Sequence, residues 1–250
     1  MNRIFSILIA AFTLALAAPA SATPPDAMDV SDELFGISET HLYLLRHTDD
    51  NLGQYTTSAR HVFLVAIDLK TAEEEYWKVS LTVRGEKWDE DGNSVGIVTQ
   101  RAYRPIESNP YDILGERGAR PISAAALRAY PFPKGEITAD ADSVKVAAEF
   151  GPTYTMPRKL AEARITASNR NVSLRIWEPV RMSRAYTTKQ AWADRKVPLD
   201  GCAFSDVGRI WVSSETPRVQ LVRATCADED ETGMTSVIFV LPPVSQPTQP

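Results

Sequence analysis

Cys202 and Cys226 are the two cysteines of this 250-residue chain, and their spacing carries the clearest chemistry in it. The midpoint between them is residue 214, inside the polar stretch Ser213-Ser214-Glu215-Thr216-Pro217. Arg209-Ile210-Trp211-Val212 precedes that stretch and Val219-Gln220-Leu221-Val222 follows it. Folded as a hairpin, the segment brings the two cysteines opposite each other at its open end, within reach of a disulfide. A covalent loop of about 25 residues stabilises a fold by about 3 kcal/mol on the chain-entropy account. The spacing excludes a CxxC redox pair.

The remaining candidates for chemistry resolve into plainer roles. His41, His47 and His61 lie near Asp49 and Asp50, a composition that could ligate a metal. However, His41 and His47 would stand about 20 Å apart on a straight strand, so the three are read as surface or structural and no metal site is assigned. Asp89-Glu90-Asp91-Gly92-Asn93 partly matches a calcium loop, but position 100, where the distal Glu would fall, is Gln. A hairpin turn explains those residues more simply. Asp228-Glu229-Asp230-Glu231 reads as a solvated loop. The chain contains no G-x-S-x-G, H-E-x-x-H, phosphate-binding loop or dinucleotide fingerprint, so no catalytic residue and no cofactor is assigned.

Charge is the strongest functional signal. The whole chain carries 27 basic and 32 acidic residues, formally −5. Residues 156–196 nevertheless hold ten basic side chains, Arg158, Lys159, Arg164, Arg170, Arg175, Arg181, Arg184, Lys189, Arg195 and Lys196, against Glu162, Glu178 and Asp194. Within this segment Ser173, Arg175 and Trp177 fall on one face of an expected strand, with Arg181, Arg184 and Tyr186 following. Arginine beside aromatic surface suits anionic groups, and Arg175, Arg181, Arg184 and Tyr186 are the candidate anion-binding residues. The competing explanation is internal complementarity, the basic segment packing on the protein's own carboxylates.

The elements expected to position these residues are mainly β. Trp77, Val79, Leu81 and Val83 alternate with Lys78, Ser80, Thr82 and Arg84, the period of a strand with one buried face. Strand signals recur over 40–47, 61–69, 95–99, 144–150, 172–177 and 236–241. Short helices are expected over 124–130, 158–163 and 188–195. The expected fold is an antiparallel sandwich or barrel-like set of sheets with two or three short helices, the alternative being propeller-like sheets. Residues 35–241 form one domain, preceded by a loose acidic stretch over 23–34 and followed by a disordered Pro-rich tail over 242–250. Five Pro and Gly residues make 104–122 a long irregular connection within that domain.

Residues 1–22 have the three-part pattern of an export signal: Arg3, an apolar run from Ile4 to Ala18, and Ala20-Ser21-Ala22. The run is shorter than the roughly 20 residues a spanning helix needs, so cleavage after Ala22 and release into a periplasm or beyond are expected, without stable membrane insertion. That compartment is oxidising, which agrees with a disulfide. The expected function is non-enzymatic binding of an anionic envelope component or a protein partner, and not of nucleic acid. The alternative is an exported hydrolase of glycans or peptides, with a deep polar pocket near 104–122.

Overall fold

The computed structural model describes residues 27–51, 56–102, 109–122, 136–147, 153–173, 199, 202–210, 219–227 and 233–241. Five strands open the chain: β1 (Met28–Ile37), β2 (His41–Asp50), β3 (Ser58–Asp68), β4 (Glu74–Trp88) and β5 (Ser94–Ala102). Helix α1 (Pro110–Glu116), β6 (Arg120–Pro121), β7 (Glu136–Ala139), β8 (Ser143–Ala147) and β9 (Tyr154–Pro157) follow. Helix α2 (Arg158–Ser173), β10 (Cys202–Ile210), β11 (Val219–Ala227) and β12 (Met234–Leu241) complete the described elements.

The mainly-β reading is correct. One large sheet runs in the order β10-β11-β12-β1-β2-β3-β4-β5, with β6 added on β1, and β7-β8-β9 form a small second sheet. Among the described residues the large sheet ends at β10 and β5 and is therefore open, neither a closed barrel nor a propeller. It is also not purely antiparallel: β1 and β12 pair in parallel, Val30 opposite Thr235 and Ser31 opposite Ser236. A parallel pair needs a long crossover, and here nearly the whole chain lies between the two partners. Gly233 makes their close approach possible, because a Cβ there would lie 2.3 Å from the Met28 carbonyl oxygen.

The two faces of the large sheet are covered differently. On one, Leu42, Leu44, Phe63, Val65 and Ile67 pack with Val144, Val146, Tyr154 and Met156 of the small sheet and with Ala161 and Ile165 of α2. On the other, Ile113 and Leu114 of α1 cover Tyr43, Leu64 and Ala66. Buried Ala161, Ile165 and Ser168 recur at the spacing of one helical face, which explains why α2 lies along the sheet.

Four sequence expectations need correction. Of the acidic stretch over 23–34, residues 28–34 are not loose: β1 starts at Met28 and lies inside the sheet, with Met28, Val30, Asp32 and Leu34 buried in alternation, while 23–26 lie outside the described residues. Asp29 and Glu33 fall on the other phase, and their charge concealed the period. Residues 104–122 are not wholly irregular, because Pro110 sits in the first turn of α1, where its missing N–H costs nothing. Asn109 caps that helix through its side chain, and Gly118, at φ +61°, ends it, with the Ala119 amide donating to Leu114 O at 2.8 Å. Third, α2 runs well past residue 163, so Ser173 ends a helix instead of entering a strand. Fourth, a bulge in β4 opposite Val62 and Phe63 shifts the alternation: Trp77 packs on the α1 side, whereas Leu81 stands opposite His61. The helices expected over 124–130 and 188–195 lie outside the described residues.

The antiparallel β10–β11 pair and its disulfide form as read, with the connecting residues 211–218 outside the described residues. Cys202 stands opposite Cys226 in the β10–β11 register, Cα–Cα 4.0 Å, and the two are bonded. Asp89 likewise makes a turn: its carboxylate accepts from the amides of Asp91 and Asn93 at 3.0 and 2.8 Å, and Gly92 takes φ +80°. Replacing both cysteines by Ala should lower unfolding stability by about 3 kcal/mol at unchanged secondary structure. Urea unfolding followed by circular dichroism checks this, and an unchanged midpoint would contradict a constraint on the unfolded chain.

Candidate functional site

Burying an ion pair in a sheet requires two charged residues on the inner phase of adjacent strands, and β1 and β2 supply them. Asp32 shares its phase with Met28, Val30 and Leu34, and Arg46 shares its phase with Leu42, Leu44 and Thr48. The register sets the two directly opposite each other. Both are buried, and Arg46 grips Asp32 side-on, Nε to Oδ1 at 2.6 Å and Nη2 to Oδ2 at 2.9 Å.

Six further groups complete the cluster. Arg46 Nη1 donates to the Tyr76 hydroxyl at 2.5 Å and to Glu74 Oε1 at 3.2 Å. Glu74 Oε1 also accepts from Ser168 Oγ at 2.8 Å, and Oε2 accepts from Tyr76 at 2.5 Å and from Asn171 Nδ2 at 3.3 Å. Ser168 and Asn171 lie one turn apart on α2, so Glu74 ties this helix to the sheet. On the other side Asp32 Oδ2 accepts from the Ile238 amide at 2.8 Å, and the Arg223 guanidinium donates to the Asp32 carbonyl at 2.7 Å. The cluster therefore joins β1, β2, β4, β11, β12 and α2.

Ionisation follows from these partners. Burial alone would lower the Arg46 pKa, but Asp32 and Glu74 raise it well above its ordinary value. Burial pushes Glu74 up, yet Arg46 and the donors Tyr76, Ser168 and Asn171 outweigh it and hold the carboxyl below its ordinary value. Burial, with the Glu74 charge, raises the Tyr76 phenol well above its ordinary value despite Arg46. A carboxylate so firmly ionised and so fully hydrogen-bonded is a poor general base, and Ser168, which donates to it, is not an activated nucleophile.

Beside Glu74 opens a cavity of about 440 Å³ between α2 and the sheet. Ile67, Ala72, Ala167, Ile238, Phe239 and Val240 supply an apolar wall; Glu73, Glu74, Ser168, Asn171 and Arg164 supply the polar groups. Arg164 is half-buried, and its Nη1 donates to the Val240 carbonyl at 2.8 Å with Met156 Sδ 4.0 Å away. Among the described residues no carboxylate lies within ion-pairing distance of it. Burial lowers its pKa, partly offset by the Glu74 charge.

The residues singled out from sequence divide as follows. Arg175, Arg181, Arg184 and Tyr186 lie outside the described residues, as does the acidic run 228–231. Of the basic segment, Arg158 pairs with Glu162 on its own helix, Lys159 is exposed, and Arg164 enters the cavity. The histidines do not converge: His41 stands near Asp68 (3.9 Å), His47 near Glu33 (3.5 Å), and His61, opposite Thr48, belongs to the other face from His47. No group of three metal-ligating side chains occurs among the described residues. The cavity is lined by α2 and the sheet, not by 104–122. Sequence reasoning passed over Asp32, Arg46, Glu74 and Tyr76; the available signal was a charged residue in phase with the apolar stripe on both β1 and β2.

Compared with known protein families, characterised proteins and solved structures, the chain matches none. No helix among the described residues is long and apolar enough to cross a membrane.

Removing Arg46 strands two buried carboxylates. Arg46→Met should therefore cost about 3–5 kcal/mol of unfolding stability, measured by urea titration. Acid should act on the same cluster through Glu74. Its pKa is depressed on folding, so its contribution is fully present above the ordinary value of 4.5 and is lost as pH falls through the lower folded value. The stability difference between wild type and Glu74→Gln should accordingly shrink between pH 6 and roughly pH 2; a difference independent of pH would show that Glu74 is not ionised in the fold.

Proposed function

We propose that this protein is an exported, non-enzymatic binding module for an anionic component of the cell envelope, with Arg164 in the α2 cavity as the anchor. The observation that carries this reading is a half-buried guanidinium whose partners among the described residues, the Val240 carbonyl and Met156 Sδ, are neutral, held at the wall of a cavity of small-molecule size. Guanidinium groups in water-poor surroundings bind carboxylates and phosphates strongly, because little water competes for the five donors.

The ion pairing around the cavity supports Arg164 as the anchor. Glu74 already has Arg46 as its ion-pair partner, whereas no described carboxylate pairs with Arg164, the cation of a described lining that also carries Glu73. Export is supported by the three-part pattern of residues 1–22 and by the Cys202–Cys226 disulfide, which persists in an oxidising compartment. A non-enzymatic role is supported by the saturated Glu74, which leaves Ser168 without a base.

Thermal-shift measurements with carboxylates, phosphates and uronic acids test the reading. At least one anion class should raise the melting temperature of the wild-type protein, and Arg164→Met should abolish that rise. Equal shifts in both proteins, or no shift with any anion, would overturn it.

A further inference from the structure

We propose that the α2 cavity takes a single-chain aliphatic monocarboxylate, its headgroup side-on against Arg164 and its hydrocarbon chain along Ile238, Phe239 and Val240. This rests on the anion-binding reading and narrows it to one chemical class.

Three features select that class. The first is the edge Arg164 presents. Its Nη1 is committed to the Val240 carbonyl, and among the described residues Nε and Nη2 have no hydrogen-bond partner. The same pair of donors on Arg46 holds Asp32 side-on, so a carboxylate fits this fork in a geometry the protein already uses.

Charge is the second. Arg164 is the one cation of the described lining and shares it with Glu73 and Glu74, so it accommodates a monoanion at most. A phosphate dianion would exceed it and would also face Glu74, whose carboxylate stays ionised beside the same cavity. The wall is the third. Apart from Arg164, the polar lining is Glu73 and Glu74 together with Ser168 and Asn171, which already donate to Glu74. The remaining wall, Ile67, Ala72, Ala167 and the β12 residues, offers hydrocarbon and no hydroxyl or amide side chain for a sugar or a polar peptide. A pocket with one charged anchor and an apolar remainder discriminates by chain length, because each buried methylene adds to affinity.

Isothermal titration of the full exported chain with decanoate, acetate, decanol and decyltrimethylammonium, each below its aggregation concentration, tests this. Arg164→Met and Arg164→Lys accompany the wild type, with circular dichroism checking their fold. Decanoate should bind one to one, at least tenfold tighter than acetate or decanol. Arg164→Met should weaken it at least tenfold, and Arg164→Lys, which keeps the charge but loses the fork, by an intermediate factor. Acetate binding as tightly as decanoate would overturn the chain-binding inference while leaving the anion reading intact. Decanol or the cationic amphiphile binding as tightly as decanoate would remove Arg164 as the anchor and overturn both. Absence of binding by either acid would also overturn both.

Discussion

The fold turns on one ion pair placed where sheets usually carry hydrocarbon. Asp32 and Arg46 face each other across β1 and β2 with essentially no access to water. Burying either alone would cost several kcal/mol, so each makes the other obligatory. The pair also restricts register. Sliding β1 by one residue against β2 would turn Asp32 to the opposite face and leave Arg46 without its carboxylate. The same carboxylate accepts the Ile238 amide, so the interaction that aligns the first hairpin also seats the last strand beside the first. A parallel contact between strands at opposite ends of the domain closes a very long loop, and the Asp32 side chain supplies part of what holds it.

From that pair the order propagates outward. Arg46 has donors to spare, and Glu74 takes one of them from across β3. Glu74 then presents its oxygens to Ser168 and Asn171, so a helix of mixed propensity is fastened to the sheet by two hydrogen bonds to a charged group. The cavity lies beside this fastening point. Glu74, Ser168 and Asn171 on its wall are engaged with one another, and Arg164 and Glu73 also line it.

Much of the architecture was legible in the chain because short-period signals are local. The Cys202–Cys226 hairpin, the Asp89–Asn93 turn and the β2, β3, β8 and β12 strands could be read from alternation and turn chemistry. The site was not. Asp32 lay in a stretch whose acidity imitates a loose tail, and Arg46 sat in a run whose apolar neighbours drew the attention. Pro110 and Gly118 looked like breakers, although one starts α1 and the other ends it. Ser168, Asn169 and Asn171 weaken helix propensity, so α2 seemed to stop early; packing of Ala161 and Ile165 on the sheet overrides that weakness.

The linear order of residues thus determined the strands, the covalent clip and the concentration of positive charge over 156–196, since each depends on neighbours or on a fixed spacing along the chain. Only the tertiary structure decided that an aspartate, an arginine and a glutamate from β1, β2 and β4 share one dry pocket with α2, and that Arg164 stands apart from their hydrogen bonds. The reason is physical: a charge is indifferent to its sequence neighbours, but once water is removed it is governed by whichever opposite charge the fold brings within a few ångströms.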